Sequence, residues 1–211
     1  MKKIMALLLV FSMLWVTMAG TFALEDIQKE TLYDLGIMVG DETGELHLER
    51  TITRAEAAKM ICVAGNIAPQ TEFSETDGFA DVSDVHWAFP YVCALKEAGI
   101  VNGDENGQFN PENEITNEEI VKMIVALLGY SELAMARGGY PAGYTAQAGV
   151  LGITNGMQFA VNVPAVRHDV AVMIYQALDV PLMVMEEEGI YVINNGKNGL
   201  PLRTLRMNIG R

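Results

Sequence analysis

The chain has 211 residues, half of them hydrophobic, and a formal net charge of −13. So acidic a protein is a poor match for nucleic acid, whose binding depends on cations that neutralise phosphates. Beyond the first 23 residues no stretch approaches the ~20 consecutive apolar residues of a membrane span.

The chain opens "MKKIMALLLVFSMLWVTMAGTFALED". Lys2 and Lys3 precede an uncharged apolar run from Ile4 to about Met18, and small residues follow. Residues 1–23 therefore read as a secretory signal peptide cut after Ala23 rather than as an uncleaved anchor. No cysteine stands near the cut for lipoprotein processing. The leader holds two lysines and no acid, so its removal takes the net charge from −13 to −15. Export would permit a disulfide between Cys62 and Cys93, but both lie in apolar helical patterns that suit core thiols.

The remaining chain repeats itself, the feature to seek before local detail. "GIMVGDETGELHLERTITRAEAAKMICVAG" (36–65) aligns without a gap on "GIVNGDENGQFNPENEITNEEIVKMIVALL" (99–128) at an offset of 63. A third copy, "LGITNGMQFAVNVPAVRHDVAVMIYQAL" (151–178), has a loop three residues shorter, yet its Arg167 and Asp169 fall on Arg54 and Glu56. The copies divide the chain into 24–70 (short at its start), 71–136 and 137–184. Each reads as helix, Gly-rich loop, helix. Gly99 stops the first helix of copy two as a C′ residue. Thr53 with Glu56, and Thr116 with Glu119, form capping boxes that start the second helices. One such unit is too small to bury its own apolar stripe, and three together can share a core. The expected fold is all-α, a pseudo-threefold assembly of helix–loop–helix repeats. The tail (185–211) changes character after "EEE": residues 189–211 have β-type residues, an Asn-Asn-Gly turn and four cations without an acid, which suggests a short hairpin, either opening a further domain or forming a basic tail for an acidic wall polymer.

The string "FADVSDVHWAFPYVCALKEAGIVNGDENGQFNPENEITNEEIVKMIVALLGY" resembles an S-layer homology repeat. It carries that family's Asp-Val, His-Trp-Ala, Gly-Ile-Val-x-Gly and Gly-x-Phe-x-Pro elements, and copy one carries the intact Ile-Thr-Arg-Ala-Glu. The resemblance spans residues 24 to about 184. It implies a three-pronged spindle that holds an exported protein on the cell surface, in the cell wall or S-layer. The partner it implies is a secondary cell-wall polysaccharide, often bearing ketal-linked pyruvate, with other surface-layer proteins as further partners.

For an acidic sugar, Arg54 gains a reason that its helix does not supply. A cation in the first turn is disfavoured by the helix dipole, but beside free N–H groups it makes an anion site that includes Glu56 of the same motif. The bland reading is a solvated arginine on a capped helix. Arg167 repeats the position in copy three, while Asn117 replaces it in copy two. Trp87 is either a stacking platform or a core anchor; Tyr140 and Tyr144 are the aromatics of copy three. Asp81 can accept sugar hydroxyls or serve locally, and His86 suits a helix start better than a metal.

Two other readings compete. Asn102, Asp104, Asn106, Gly107 and Asn113 fit positions of a calcium loop, but its bidentate Glu is absent and Val39 cannot chelate in copy one. A calcium-dependent or self-assembling protein–protein module is thus the alternative, and no cofactor or resident metal is expected. For catalysis there is no nucleophile elbow, HExxH or phosphate loop, and the histidines 47, 86 and 168 sit at different repeat positions. Enzyme activity is not expected.

Overall fold

The computed structural model describes residues 24–72, 78–187, 189–197 and 201–209. The leader assigned to 1–23 lies outside them. The described residues form eight α-helices and one two-stranded antiparallel sheet. Copy one supplies α1 (Asp26–Asp34) and α2 (Arg54–Ala64), and copy two supplies α3 (Phe89–Glu97) and α4 (Asn117–Leu127). A short α5 (Ser131–Ala136) precedes α6 (Ala142–Val150) and α7 (Arg167–Ala177) of copy three.

Local chemistry sets the helix ends. The Thr53 hydroxyl accepts from the Glu56 N–H at 3.2 Å while the Glu56 carboxylate accepts from the Thr53 N–H at 3.0 Å. In α4 the Glu119 carboxylate accepts from the Thr116 N–H at 2.9 Å. Gly36 and Gly99 follow the ends of α1 and α3 with φ of 68° and 69°, a conformation that a Cβ would oppose.

The packing follows one rule. α3 lies on α2 and α6 on α4, so the first helix of each later copy rests on the second helix of the copy before it; α1 rests on α7. Helices α2, α4 and α7 touch one another. At their N-terminal ends the buried residues Ile52, Ile115 and Ala165 exchange backbone hydrogen bonds in a closed ring. Ile52 donates to Ala165 at 3.2 Å, Ala165 to Ile115 at 2.8 Å, and Ile115 to Ile52 at 3.0 Å. A peptide group buried this deeply must be paired, and each copy finds its partners only in the other two.

Cys62 and Cys93 are buried and unbridged. Burial pushes the Cys62 thiol up to about 12, and its Sγ donates to the Tyr91 carbonyl.

The tail differs from its sequence reading. Its hairpin pairs β1 (Met183–Glu187) with β2 (Ile190–Ile193), Met183 opposite Ile193 and Met185 opposite Tyr191. The chain reverses at Gly189 (φ 78°), so Asn194, Asn195 and Gly196 lie beyond the second strand instead of making the turn. The reason is that "MVMEE", which the sequence reading had placed ahead of the change in character after "EEE", supplies the first strand. Two strands are marginal alone, and these are tied to the helices. Met183 donates to the Leu128 carbonyl at 2.9 Å, and the Tyr130 hydroxyl donates to the Pro181 carbonyl at 2.8 Å. A terminal helix, α8 (Leu205–Ile209), buries Leu205. Arg206 forks onto Asp179 with both N···O distances 2.7 Å and lies over Tyr175, so this cation of the tail is already engaged.

Gly129 shows how close the hairpin comes. Its φ is 87°, and a Cβ built there would stand 1.9 Å from the Met183 carbonyl oxygen. Gly129→Ala is expected to lower unfolding free energy by at least about 2 kcal/mol, from left-handed strain plus displacement of the strand, as measured by urea denaturation.

Candidate functional site

Two grooves repeat one design. In groove 1, of about 260 Å³, copy one supplies the loop around Gly40 and Asp41 together with Arg50, Glu56, Lys59 and Met60. Copy two adds Trp87 and copy three adds Arg167. In groove 2, of about 460 Å³, copy two supplies Gly103, Asp104, Asn113, Glu119, Lys122 and Met123, copy three Tyr140, and copy one Arg54. Within the central copy every one of these positions is displaced by the repeat offset. Each groove thus joins three copies: a loop and helix from one, an aromatic from the next, and an arginine from the one before.

Of the candidate residues, Arg54, Glu56, Trp87, Tyr140 and Arg167 line the grooves. Trp87 is 51% exposed and Tyr140 47% exposed, whereas Leu24, the aligned residue of copy one, is buried in the core. Tyr140 receives Lys122 Nζ over its ring at 5.5 Å. Burial, with Glu119 and Glu118 nearby, pushes its phenol up to about 12. Asp81, Asn117 and Tyr144 line neither groove. The Asp81 carboxylate accepts from the N–H groups of Phe109 and Asn110 at 2.9 and 2.6 Å and so holds the loop of copy two. Asn117 is buried and donates to the Ala160 carbonyl at 3.1 Å, and Tyr144 belongs to the core. Where a third groove would lie, Asn117 stands for the arginine, Val172 for the lysine and buried Leu24 for the aromatic.

One expectation is corrected. The N–H groups beside Arg54 are not free to receive an anion. Arg54 donates to the Asn113 carbonyl and Ala55 to the Pro111 carbonyl, each at 2.9 Å, while Glu56 donates to Thr53. Asn117, Arg167 and His168 likewise donate to Val163, Arg50 and Leu48. Helix-end donors inside an interface must be satisfied, and the neighbouring loops satisfy them. Any anion would depend on side chains.

Those side chains include residues that the sequence reading passed over. Lys59 and Lys122 belong to the "KM" pairs that coincide in the two copies, which was the available signal. Lys122 is held below its ordinary value by burial and by Arg54, against Glu119. Arg50 forks onto Glu56, with Nη1 2.9 Å from Oε2 and Nη2 against Oε1. Burial alone would raise the Glu56 carboxyl, but this fork and the Thr53 N–H hold it below its ordinary value.

The loop acids serve their own loops. Asp41 accepts from the Thr43 N–H and hydroxyl, the Glu45 N–H, and pairs with His47 Nε2 at 2.7 Å. Asp104 accepts from Asn106, Gln108 and the Asn110 amide. Among the described residues no group of three or more His, Cys, Asp or Glu is placed to hold a metal ion.

The Thr43 hydroxyl above all, then His47, keeps the Asp41 carboxyl far below the usual carboxylate range. A depressed folded-state value stabilises the fold above the unfolded value of about 3.9 and loses that contribution as pH falls toward the folded value. Asp41→Asn is therefore expected to lower Tm at pH 7, and its gap from the parent to narrow progressively as pH falls below about 3.9, read by thermal unfolding across pH.

The family model described as the S-layer homology domain matches residues 30–58 and 78–120. The chain carries S-layer homology sequence. The two matched segments hold Asp41, Arg50, Arg54 and Glu56 in one, and Trp87, Asp104, Asn113 and Glu119 in the other. The chain is 28% identical over 87% of its length to a cell surface protein of Thermoanaerobacter kivui, of which the match covers 25%. It is 33% identical over 78% of its length to the middle cell wall protein of Brevibacillus brevis, covering 16% of that protein. It is 32% identical over 74% of its length to a surface layer protein of Brevibacillus choshinensis, covering 14%. The chain thus spans a quarter or less of the length of these relatives, and its S-layer homology segments belong with cell-surface proteins. Among the described residues no helix is long and apolar enough to cross a membrane.

Proposed function

We propose that this chain is an anchoring module that holds an exported protein non-covalently to the bacterial cell wall. It binds a secondary cell-wall polysaccharide, one bearing ketal-linked pyruvate, in the grooves between its repeats. The reading is one of binding rather than catalysis. The observation that carries it is the recurrence of one constellation at two places: an arginine, a lysine and an exposed aromatic around a Gly-Asp loop. An aromatic face stacks on a sugar ring, and a guanidinium receives a carboxylate. Residues 24–70, 71–136 and 137–184 act as three repeats of a pseudo-threefold spindle. The closed hydrogen-bond ring of Ile52, Ile115 and Ala165 supports that arrangement. Because the chain is strongly acidic, long-range attraction to an acidic polymer is absent and affinity comes from these local pockets.

The test is retention of the exported protein on wall sacculi, native or stripped of secondary polymer by acid, each with and without chelator. Retention on native wall alone, indifferent to chelator, is expected. Equal retention on both preparations, or none on either, would sink the reading.

A further inference from the structure

The two grooves treat their arginines differently. In groove 2 Arg54 is spent on the protein: its Nε donates to the Phe109 carbonyl at 2.7 Å, its Nη1 meets Glu119 at 2.9 Å, and its guanidinium lies 5.0 Å over the Phe109 ring. In groove 1 the equivalent carboxylate, Glu56, is held by Arg50. Groove 2 has Asn113 at the position of Arg50 and so has no guanidinium there to fork onto Glu119, which pairs with Arg54 instead. Arg167 consequently forms no ion pair among the described residues. Its Nη2 donates to the Val39 carbonyl at 3.0 Å, and its Nε is buried without a hydrogen-bond partner. A buried donor left unpaired is costly and invites an acceptor. The formal charges agree: three cations face three carboxylates around groove 1, against two facing four around groove 2.

We infer that Arg50 is a specificity-determining residue: by holding Glu56 it leaves Arg167 to the ligand, which makes groove 1 the site selective for a carboxylate-bearing sugar, while the arginine of groove 2 is neutralised from within. This rests on the reading of the grooves as glycan sites. Burial and the neighbouring Arg50 hold the Arg167 guanidinium below its ordinary value, Glu56 offsetting this only in part, and an anion would relieve that repulsion. Arg50 acts through Glu56 and is a positioning residue with no contact to the sugar required of it.

Trp87 makes the test specific to groove 1. The chain has two tryptophans, Trp15 within the leader assigned to residues 1–23 and Trp87, so exported protein cut after Ala23 reports through Trp87 alone. Its fluorescence is titrated with a methyl hexoside bearing a 4,6-linked pyruvate ketal, and with the methyl ester of that ketal. The acid is expected to bind at least tenfold more tightly than the ester. Arg50→Asn is expected to weaken the acid about tenfold and leave the ester unchanged. Arg50→Asn combined with Glu56→Gln should recover the acid affinity, because no carboxylate then competes for Arg167; glutamine preserves the capping box. Equal affinity for acid and ester, an unaffected Arg50→Asn variant, or a double variant as weak as the single one would each overturn the inference. So would a silent Trp87 in a protein that native sacculi still retain, which leaves the anchoring reading standing; loss of sacculus retention in the parent overturns the anchoring reading itself.

Discussion

Arg167→Ala is expected to release the chain from native wall, with affinity falling roughly 10- to 100-fold, while its melting temperature stays near that of the parent. The estimate corresponds to about 1.5–3 kcal/mol for hydrogen bonds to a charged group. Stability is spared because Arg167 forms no ion pair among the described residues and donates once, to Val39. Arg54→Ala should behave in the opposite way. It removes a hydrogen bond to the Phe109 carbonyl, an ion pair with Glu119 and a cation over an aromatic ring. It is expected to cost about 1–3 kcal/mol of stability and less than tenfold in retention. Isotherms on native sacculi, paired with urea denaturation of the same variants, check both. Equal loss of retention for the two would show that the grooves share the work.

Phe109→Ala is expected to cost about 3–5 kcal/mol, the range for emptying a well-packed aromatic site. The side chain is fully buried and its ring stacks on Phe79 with centroids 5.6 Å apart. The same residue makes three further contacts with two side chains: its N–H donates to Asp81, its carbonyl accepts from Arg54, and its ring lies under that guanidinium. The variant should therefore loosen the copy-two loop that borders groove 2 and remove the ring beneath Arg54, together with global stability. Urea denaturation measures the second, and amide exchange of residues 100–110 reports the first. A loss under 1.5 kcal/mol, the usual cost of a conservative core swap, would mean that the loop repacks without the ring.

The residues that were legible in the sequence are those whose chemistry is local. Thr53 with Glu56, Thr116 with Glu119, and Gly99 after α3 act over three or four residues, so spacing alone starts and stops their helices. The ungapped 63-residue offset told that the units share one fold, and Arg54 and Arg167 were legible as equivalent positions. Trp87 and Leu24 were not separable in this way. Aligned in sequence, one walls a groove and the other is core.

The tertiary structure decided what those equivalent positions do. Whether the donors at the start of α2 were free depended on Asn113 and Pro111, more than fifty residues away. Whether an arginine was spent or available depended on whether residue 50 or 113 carried a charge beside the capping glutamate. How the hairpin is tied to the helices depended on Met183 reaching Leu128. By itself, then, the sequence determined the repeat, the helix ends and the acidic balance, because propensity, capping and charge are properties of short stretches. The grooves were decided by the tertiary structure, because each is walled by three copies. Side-chain pairing across those copies is fixed by distance in space, which spacing along the chain does not encode.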